Sequence, residues 1–200
     1  IDEISIGAGH RYLTIVLDLE SGAVVFVGDG KGADALTPFW RRLRRSGAAV
    51  EAVAIDMSPA YILAVRENLP GALIVFDHFH VIKLYNDKLS DLRRQLFNQI
   101  EEPQKKQVIK GTRWLLLKNP ENLDLDRSEP DRLKAALELN HPLATAYYMK
   151  EDLRQIWEQP DKKTAKTFLA DWVYRAGSSM IPMLKKMART IAVHHQGILA

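Results

Sequence analysis

Three aspartates stand where a carboxylate can do chemistry. The stretch Val50–His80 reads VEAVAIDMSPAYILAVRENLPGALIVFDHFH. One apolar segment delivers Asp56, and a second, after a short intervening helix, delivers Asp77. A carboxylate raised at the C-terminal end of a buried parallel strand is a common position for metal ligands and catalytic acids in α/β enzymes. A further apolar segment, Ile1–Ile6, carries Asp2. Carboxylates are hard oxygen ligands suited to Mg²⁺ or Mn²⁺. Two such ions ~3.5–4 Å apart can activate a nucleophile and stabilise a leaving oxygen during phosphodiester attack. Asp2 and Asp56 are the leading catalytic and metal-binding candidates. Asp56 also fits a helix cap, because Met57-Ser58-Pro59 follows it. Asp77 is a third metal candidate, with a competing role as cap of a helix starting near Phe79. Capping does not explain Asp2, an acid within an apolar strand, though an exposed edge strand would tolerate it. Glu3 alternates to the opposite face and reads as a surface residue. His78 and His80 read as hydrogen-bonding structural groups.

The elements that must position these acids follow from apolar periodicity. Ile1–Ile6, His10–Glu20 and Ala23–Gly28 predict three antiparallel strands, turning at Gly7-Ala8-Gly9 and Ser21-Gly22. Ala33–Arg45 has apolar residues at helical spacing, closed by Gly47. Val50–Ile55 and Ala72–Phe76 read as strands buried on both faces. Ser58-Pro59 opens the helix between them, and Pro70-Gly71 closes it. Gly28-Asp29-Gly30-Lys31-Gly32 lacks the spacing of a phosphate loop and reads as a turn. The order is β-β-β-α-β-α-β. It predicts an α/β, ribonuclease H-like domain over residues 1–79, with a mixed five-stranded sheet flanked by helices. In that layout the first strand lies beside the fourth, and a strand spacing of ~4.8 Å brings Asp2 beside Asp56. Residues 80–200 predict a large all-helical region, with helices near 80–100, 104–118, 130–139, 142–158, 161–176 and 180–194.

Composition narrows the function classes. The chain has 200 residues, 46% of them hydrophobic, enough for a packed core. It has no cysteine, which excludes disulfides and thiolate metal sites and fits a reducing compartment such as the cytoplasm. No apolar run approaches the ~20 residues of a membrane span. The chain does not begin with Met and starts inside an apparent strand, as a segment of a longer protein would.

The net charge of +3 hides an asymmetry. Residues 1–78 carry ten acids and seven Lys/Arg, whereas residues 79–200 carry fifteen and twenty-one. An acidic half suits cations and a basic half suits phosphates. In the basic half, Lys105, Lys106, Lys110 and Arg113, then Lys162 and Lys163, then Lys185, Lys186 and Arg189 are candidate DNA contacts. The interleaved rings Trp114, Trp157 and Trp172 are read as core residues of a helical bundle.

Residues 55–87, IDMSPAYILAVRENLPGALIVFDHFHVIKLYND, resemble the DDE transposases of bacterial insertion sequences, specifically the ISL-three group. Asp2-Glu3, Ser5 and Gly9-His10-Arg11-Tyr12-Leu13-Thr14 are similar to that family's opening strands. Lys110-Gly111-Thr112-Arg113-Trp114 through Leu123, Ala144-Thr145-Ala146-Tyr147, and Trp172 within FLADWVYRA resemble later signatures. The resemblance covers essentially the whole chain. It implies cutting and joining of DNA at insertion-sequence ends by two Asp and one Glu that hold two Mg²⁺ (or Mn²⁺) ions. Carried over by position, the two Asp are Asp2 and Asp56, and the Glu is expected after residue 200. It also implies DNA as partner, a homo-oligomer in the full-length protein, and little activity from this segment alone. Two other readings fit the same residues: a ribonuclease H-like nuclease without strand transfer, and a non-catalytic DNA-binding or oligomerisation module.

Overall fold

The computed structural model describes residues 1–7 and 11–200. The expected turn at Ala8-Gly9 and the start of the second strand at His10 lie outside the described residues. The chain divides into two compact units, Ile1–Val81 with Gln196–Ala200, and Ile82–His195.

In the first unit, β1 (Asp2–Ser5), β2 (Tyr12–Leu17) and β3 (Val24–Asp29) form an antiparallel sheet in that order. The β2–β3 turn is built by Asp18, whose carboxylate accepts from the Ser21 hydroxyl (2.5 Å) and the Glu20 amide (3.2 Å). β4 (Ala52–Ile55) and β5 (Leu73–Phe76) form a parallel pair, with Ile55 opposite Phe76. The fold is therefore mixed α/β with the strands in the expected sequence, but their ladders form two small sheets rather than one of five strands. Among the described residues one hydrogen bond joins the two sheets, from the Ile1 nitrogen to the Ala54 carbonyl at 2.7 Å. Among the described residues β1 reaches β4 through the residue before it, and one bond does not make a ladder.

Cross-strand register sets the faces. Glu3, Thr14 and Gly28 lie opposite one another, and Asp2, Ile15 and Val27 share the other face. The first face is covered by α1 (Thr37–Ser46) and α2 (Pro59–Asn68). Phe39 meets Phe26 at 5.6 Å, and Trp40, Tyr61, Ile62 and Val65 are buried. Gly28 admits the 3₁₀ turn Ala33–Leu36, since a Cβ there would stand 2.5 Å from the Ala35 carbonyl oxygen.

After β5 the described residues hold only helices: α3 (His78–Gln99), α4 (Pro103–Lys110), α5 (Arg113–Leu117), α6 (Glu129–Leu139), α7 (His141–Arg154), α8 (Lys162–Ser178) and α9 (Pro182–Ile198). The expected helix 104–118 is broken. Thr112 donates its hydroxyl to the Ile109 carbonyl (2.8 Å), and that turn ends α4. The core of the second unit centres on Trp172. Its indole donates to the Met149 carbonyl (2.8 Å) and meets Tyr85 edge-on, and Tyr85 donates to the Ala146 carbonyl (2.7 Å). Burying such a ring stabilises by about 3 kcal/mol or more. Trp157 is half-buried, and Trp114 departs from the expectation by standing 65% exposed. α5 is only five residues long, and Leu115 and Leu116 take its buried side. Among the described residues, no helix is long and apolar enough to cross a membrane.

Candidate active site

Each aspartate sits at the end of a strand, with one carboxylate oxygen accepting from a backbone amide one or two residues on, that of Glu3 (2.7 Å) in the case of Asp2. Asp2 opens β1, 60% exposed, with His80 Nε2 of α3 at 3.6 Å from its Oδ1. Asp56 directly follows β4. Its Oδ1 accepts from the Ser58 amide at 2.9 Å, so the carboxylate shapes the turn into α2. Ser58 takes the cap position without a side-chain cap bond, so the Asp56 carboxylate orders the turn before the helix rather than capping it. Asp77 follows β5, its Oδ1 accepting from the Phe79 amide at 2.9 Å and lying 3.5 Å from His78 Nδ1. That bond is the cap expected at the start of α3.

The bond from Ile1 to Ala54 brings the first two acids to the same edge. The Ile1 nitrogen lies within electrostatic range of both the Asp2 and the Asp56 carboxylates. Their chemistry suits a hard divalent cation. Among the described residues, however, no three His, Asp or Glu side chains converge to hold a metal. Two carboxylates are what these residues bring to such a site.

On the opposite face of β1 stands a buried polar network. Tyr61, 2% exposed, donates its hydroxyl to Glu3 Oε1 at 2.5 Å. The Gly32 amide donates to Glu3 Oε1 and to the Tyr61 oxygen, both at 3.1 Å. Gly32 has φ 93°, a conformation that glycine adopts at little cost. Thr14, fully buried, donates to the Gly30 carbonyl (3.1 Å) and lies 3.3 Å from the Tyr61 hydroxyl. Glu3 is thus no surface residue: its longer side chain reaches under the sheet to the phenol of α2. Glu3 adjoins Asp2, and Tyr61 lies five residues beyond Asp56. Their hydrogen bond ties together the two segments that carry the acids. Alternation placed Glu3 on the right face; a phenol waiting there left no mark in local sequence.

Burial, and then the bond to Glu3, push the Tyr61 phenol up from 10.0 to about 12. A raised phenol holds a proton that the unfolded chain has released, so its stabilisation is complete below about pH 10 and is lost as pH rises through about 12. Tyr61→Phe should remove this part of the alkaline loss. Urea midpoints of wild type and variant across that window check it. Tyr147, also raised to about 12, is present in both proteins and cancels. Parallel curves would refute the assignment.

The basic candidates fall at separate places in the second unit. Lys105 is paired with Glu102 at 2.6 Å, and Lys106 lies over the Phe97 ring at 5.0 Å. Lys110 is exposed at the end of α4, and Arg113 stacks on Trp114 at 4.6 Å. Lys162 and Lys163 are exposed in the first turn of α8. Lys185 and Arg189 line a shallow groove with Val173 and Gly177, and Lys186 is exposed beside them.

The chain thus combines a mixed α/β unit with carboxylates at its strand ends and a helical unit rich in Lys and Arg. Comparison gives it a family. A transposase family profile, that of the ISL-three DDE type, matches residues 1–200, and the chain belongs to that family. The chain is 34% identical over 203 residues to the transposase for insertion sequence element IS1001 of Bordetella parapertussis, covering 100% of this chain and 50% of that protein. It is 29% identical over 221 residues to the transposase for insertion sequence element IS1557 of Mycobacterium tuberculosis, covering 99% of this chain and 49% of that protein. The chain spans about half the length of the curated relatives it matches. No solved structure gives a significant match.

Proposed function

We propose that this chain forms the larger part of the catalytic region of an insertion-sequence transposase, in which Asp2 and Asp56 are catalytic metal ligands. The observation that carries this reading is the bond from the Ile1 nitrogen to the Ala54 carbonyl, at the edge where both acids emerge. With β1 parallel to β4, that bond sets Ile1 beside Ile55 and Asp2 beside Asp56. The two small sheets are then halves of one five-stranded, ribonuclease H-like sheet in the order β3-β2-β1-β4-β5. Residues 1–79 form the catalytic unit and residues 80–200 the helical one. A third acid comes from outside these residues, and the working protein is a homo-oligomer in the cytoplasm.

A pair of Mg²⁺ or Mn²⁺ ions held there would supply an activated nucleophile and charge stabilisation at the leaving oxygen. The chain's own residues do the positioning. Asp2 and Asp56 face the ligand with one oxygen each anchored or neighboured by His80 and the Ser58 amide. The bond between Glu3 and Tyr61 fixes β1 against α2 from behind. Asp77 caps α3 and stands at the same strand-end edge. The basic helical unit contacts DNA, the insertion-sequence ends and the target.

Mn²⁺ binding to the intact protein tests the reading. Wild type should bind Mn²⁺, and Asp2→Ala or Asp56→Ala should weaken it at least ~10-fold, since loss of even a group that supports a ligand costs that much. Crystals grown with Mn²⁺ should show the ion against both carboxylates. Unchanged Mn²⁺ affinity in both variants would favour the non-catalytic module and sink the proposal. Cleavage of insertion-sequence ends without joining would favour the plain nuclease.

A further inference from the structure

Around the turn from α4 to α5, arginines gather without acids. Arg93 of α3 donates to the Ile109 carbonyl at 3.4 Å. Arg132 of α6 donates to the Gly111 carbonyl at 3.3 Å. Arg113 stacks on Trp114 at 4.6 Å. Among the described residues, no carboxylate pairs with any of these three guanidinium groups. Four other arginines of the same unit have acid partners: Arg94 with Asp91, Arg127 with Asp124, Arg154 with Glu151 and Glu121, Arg175 with Asp152 and Asp171; Arg189, exposed on α9, stands alone rather than in a cluster of arginines. The Arg93 Nε is buried without a hydrogen-bond partner. Burial and the neighbouring charges of Arg113 and Arg94 hold the Arg93 guanidinium below its ordinary range.

Cations favour a helix C-terminus, and this accounts for the carbonyl contacts of Arg93 and Arg132. It leaves three things unexplained: the bare Nε, the unpaired Arg113, and a large indole held in solvent with a guanidinium on one face. A buried donor without a partner costs free energy, and gathered like charges add to it. Both costs are offset when an anion is bound. Guanidinium groups match phosphate oxygens in fork geometry. An exposed aromatic beside them is the platform on which an unpaired base stacks.

We propose that Trp114, Arg113 and Arg93 form a DNA contact site in which a phosphate sits among the guanidinium groups and an adjacent unpaired base stacks on the indole. The inference rests on the transposase reading only for DNA as the ligand, not for the metal ligands. It goes beyond that reading in naming DNA with a splayed or single-stranded base, which a helix-bundle core residue cannot bind. The sequence pattern pointed to Lys110 and Arg113; Arg93 and Arg132 come from other helices, and folding brings them in.

The test is fluorescence anisotropy of labelled oligonucleotides with the intact protein in EDTA, comparing a blunt duplex with the same duplex carrying a short single-stranded overhang. Trp114→Ala should weaken overhang binding ~10-fold, as loss of one stacked base does, and change blunt-duplex binding less than ~2-fold. Trp114→Phe should restore most of the loss, since a smaller ring still stacks. Arg113→Ala should weaken both substrates and lower the slope of log affinity against log salt by ~1. Trp114 and Arg113 are exposed, so folding is not at stake. Overhang affinity unchanged in Trp114→Ala, equal losses on both substrates, or no DNA binding by wild type would each overturn the site. Asp56→Asn, measured alongside for Mn²⁺ binding, judges the metal reading separately.

Discussion

Lys150→Ala is expected to cost about 3–5 kcal/mol of folding stability, the scale for breaking a buried charge pair from one side. Lys150 is 1% exposed, and its ammonium group is fully engaged. Nζ donates to the Leu116 carbonyl at 2.8 Å and the Lys118 carbonyl at 3.2 Å, and Glu151 Oε1 lies 2.8 Å away as an ion-pair contact outside hydrogen-bond alignment. The Tyr147 ring lies beneath it at 4.9 Å. Glu151 is itself held by Arg154, which also reaches Glu121. Removing the ammonium leaves two carbonyls and a half-buried carboxylate short of a partner. It also loosens the end of α5, the helix that presents Arg113 and Trp114. Lys150→Met keeps the apolar stem and should recover part of the loss while leaving the polar groups unpaired. Urea denaturation of the three proteins measures this. A cost under about 1 kcal/mol for Lys150→Ala would mean that water replaces the ammonium freely.

The second large effect is on activity. On the proposed reading, Asp56→Asn in the intact protein should lower cleavage at an insertion-sequence end by at least ~10³-fold, since a metal-ligand charge stabilises the transition state by several kcal/mol. Stability should move by less than about 0.5 kcal/mol. Asn keeps the oxygen that accepts from the Ser58 amide, so the turn survives and only the charge is lost. Asp77→Asn is the matched comparison. It likewise keeps the bond from the Phe79 amide. Cleavage within ~3-fold of wild type would assign Asp77 to capping alone; a loss as deep as that of Asp56→Asn would add it to the metal site. Cleavage by Asp56→Asn at the wild-type rate would remove Asp56 from the catalytic set.

What the sequence made legible was whatever depends on short-range pattern. Apolar runs gave β4 and β5, alternation gave the antiparallel strands, and Pro and Gly marked most helix ends. Asp77 was readable as a cap because it bonds an amide two residues on. What depends on meeting a distant partner was hidden. Glu3 finds a phenol on α2, and Arg93, Arg113 and Arg132 converge from three helices. Trp114 was expected in the core because a ring of that size normally repays burial. The break at Thr112 leaves α5 too short to bury Leu115, Leu116 and the indole together. The extent of pairing between β1 and β4 was also beyond periodicity, which fixes which face a residue points to but not how many bonds join two edges.

The register of β1 has a consequence for comparing this chain with others. Asp2 and Glu3 are adjacent acids with opposite duties, one facing the strand-end edge and the other Tyr61. Because side chains alternate, a shift of one residue exchanges those duties without changing charge or composition. An alignment slid by one position here pairs a carboxylate proposed as a metal ligand with one bonded to a phenol, and would score it as a match. The double exchange Asp2→Glu with Glu3→Asp makes the same point in protein: an isomeric chain with every acid retained and neither in its place.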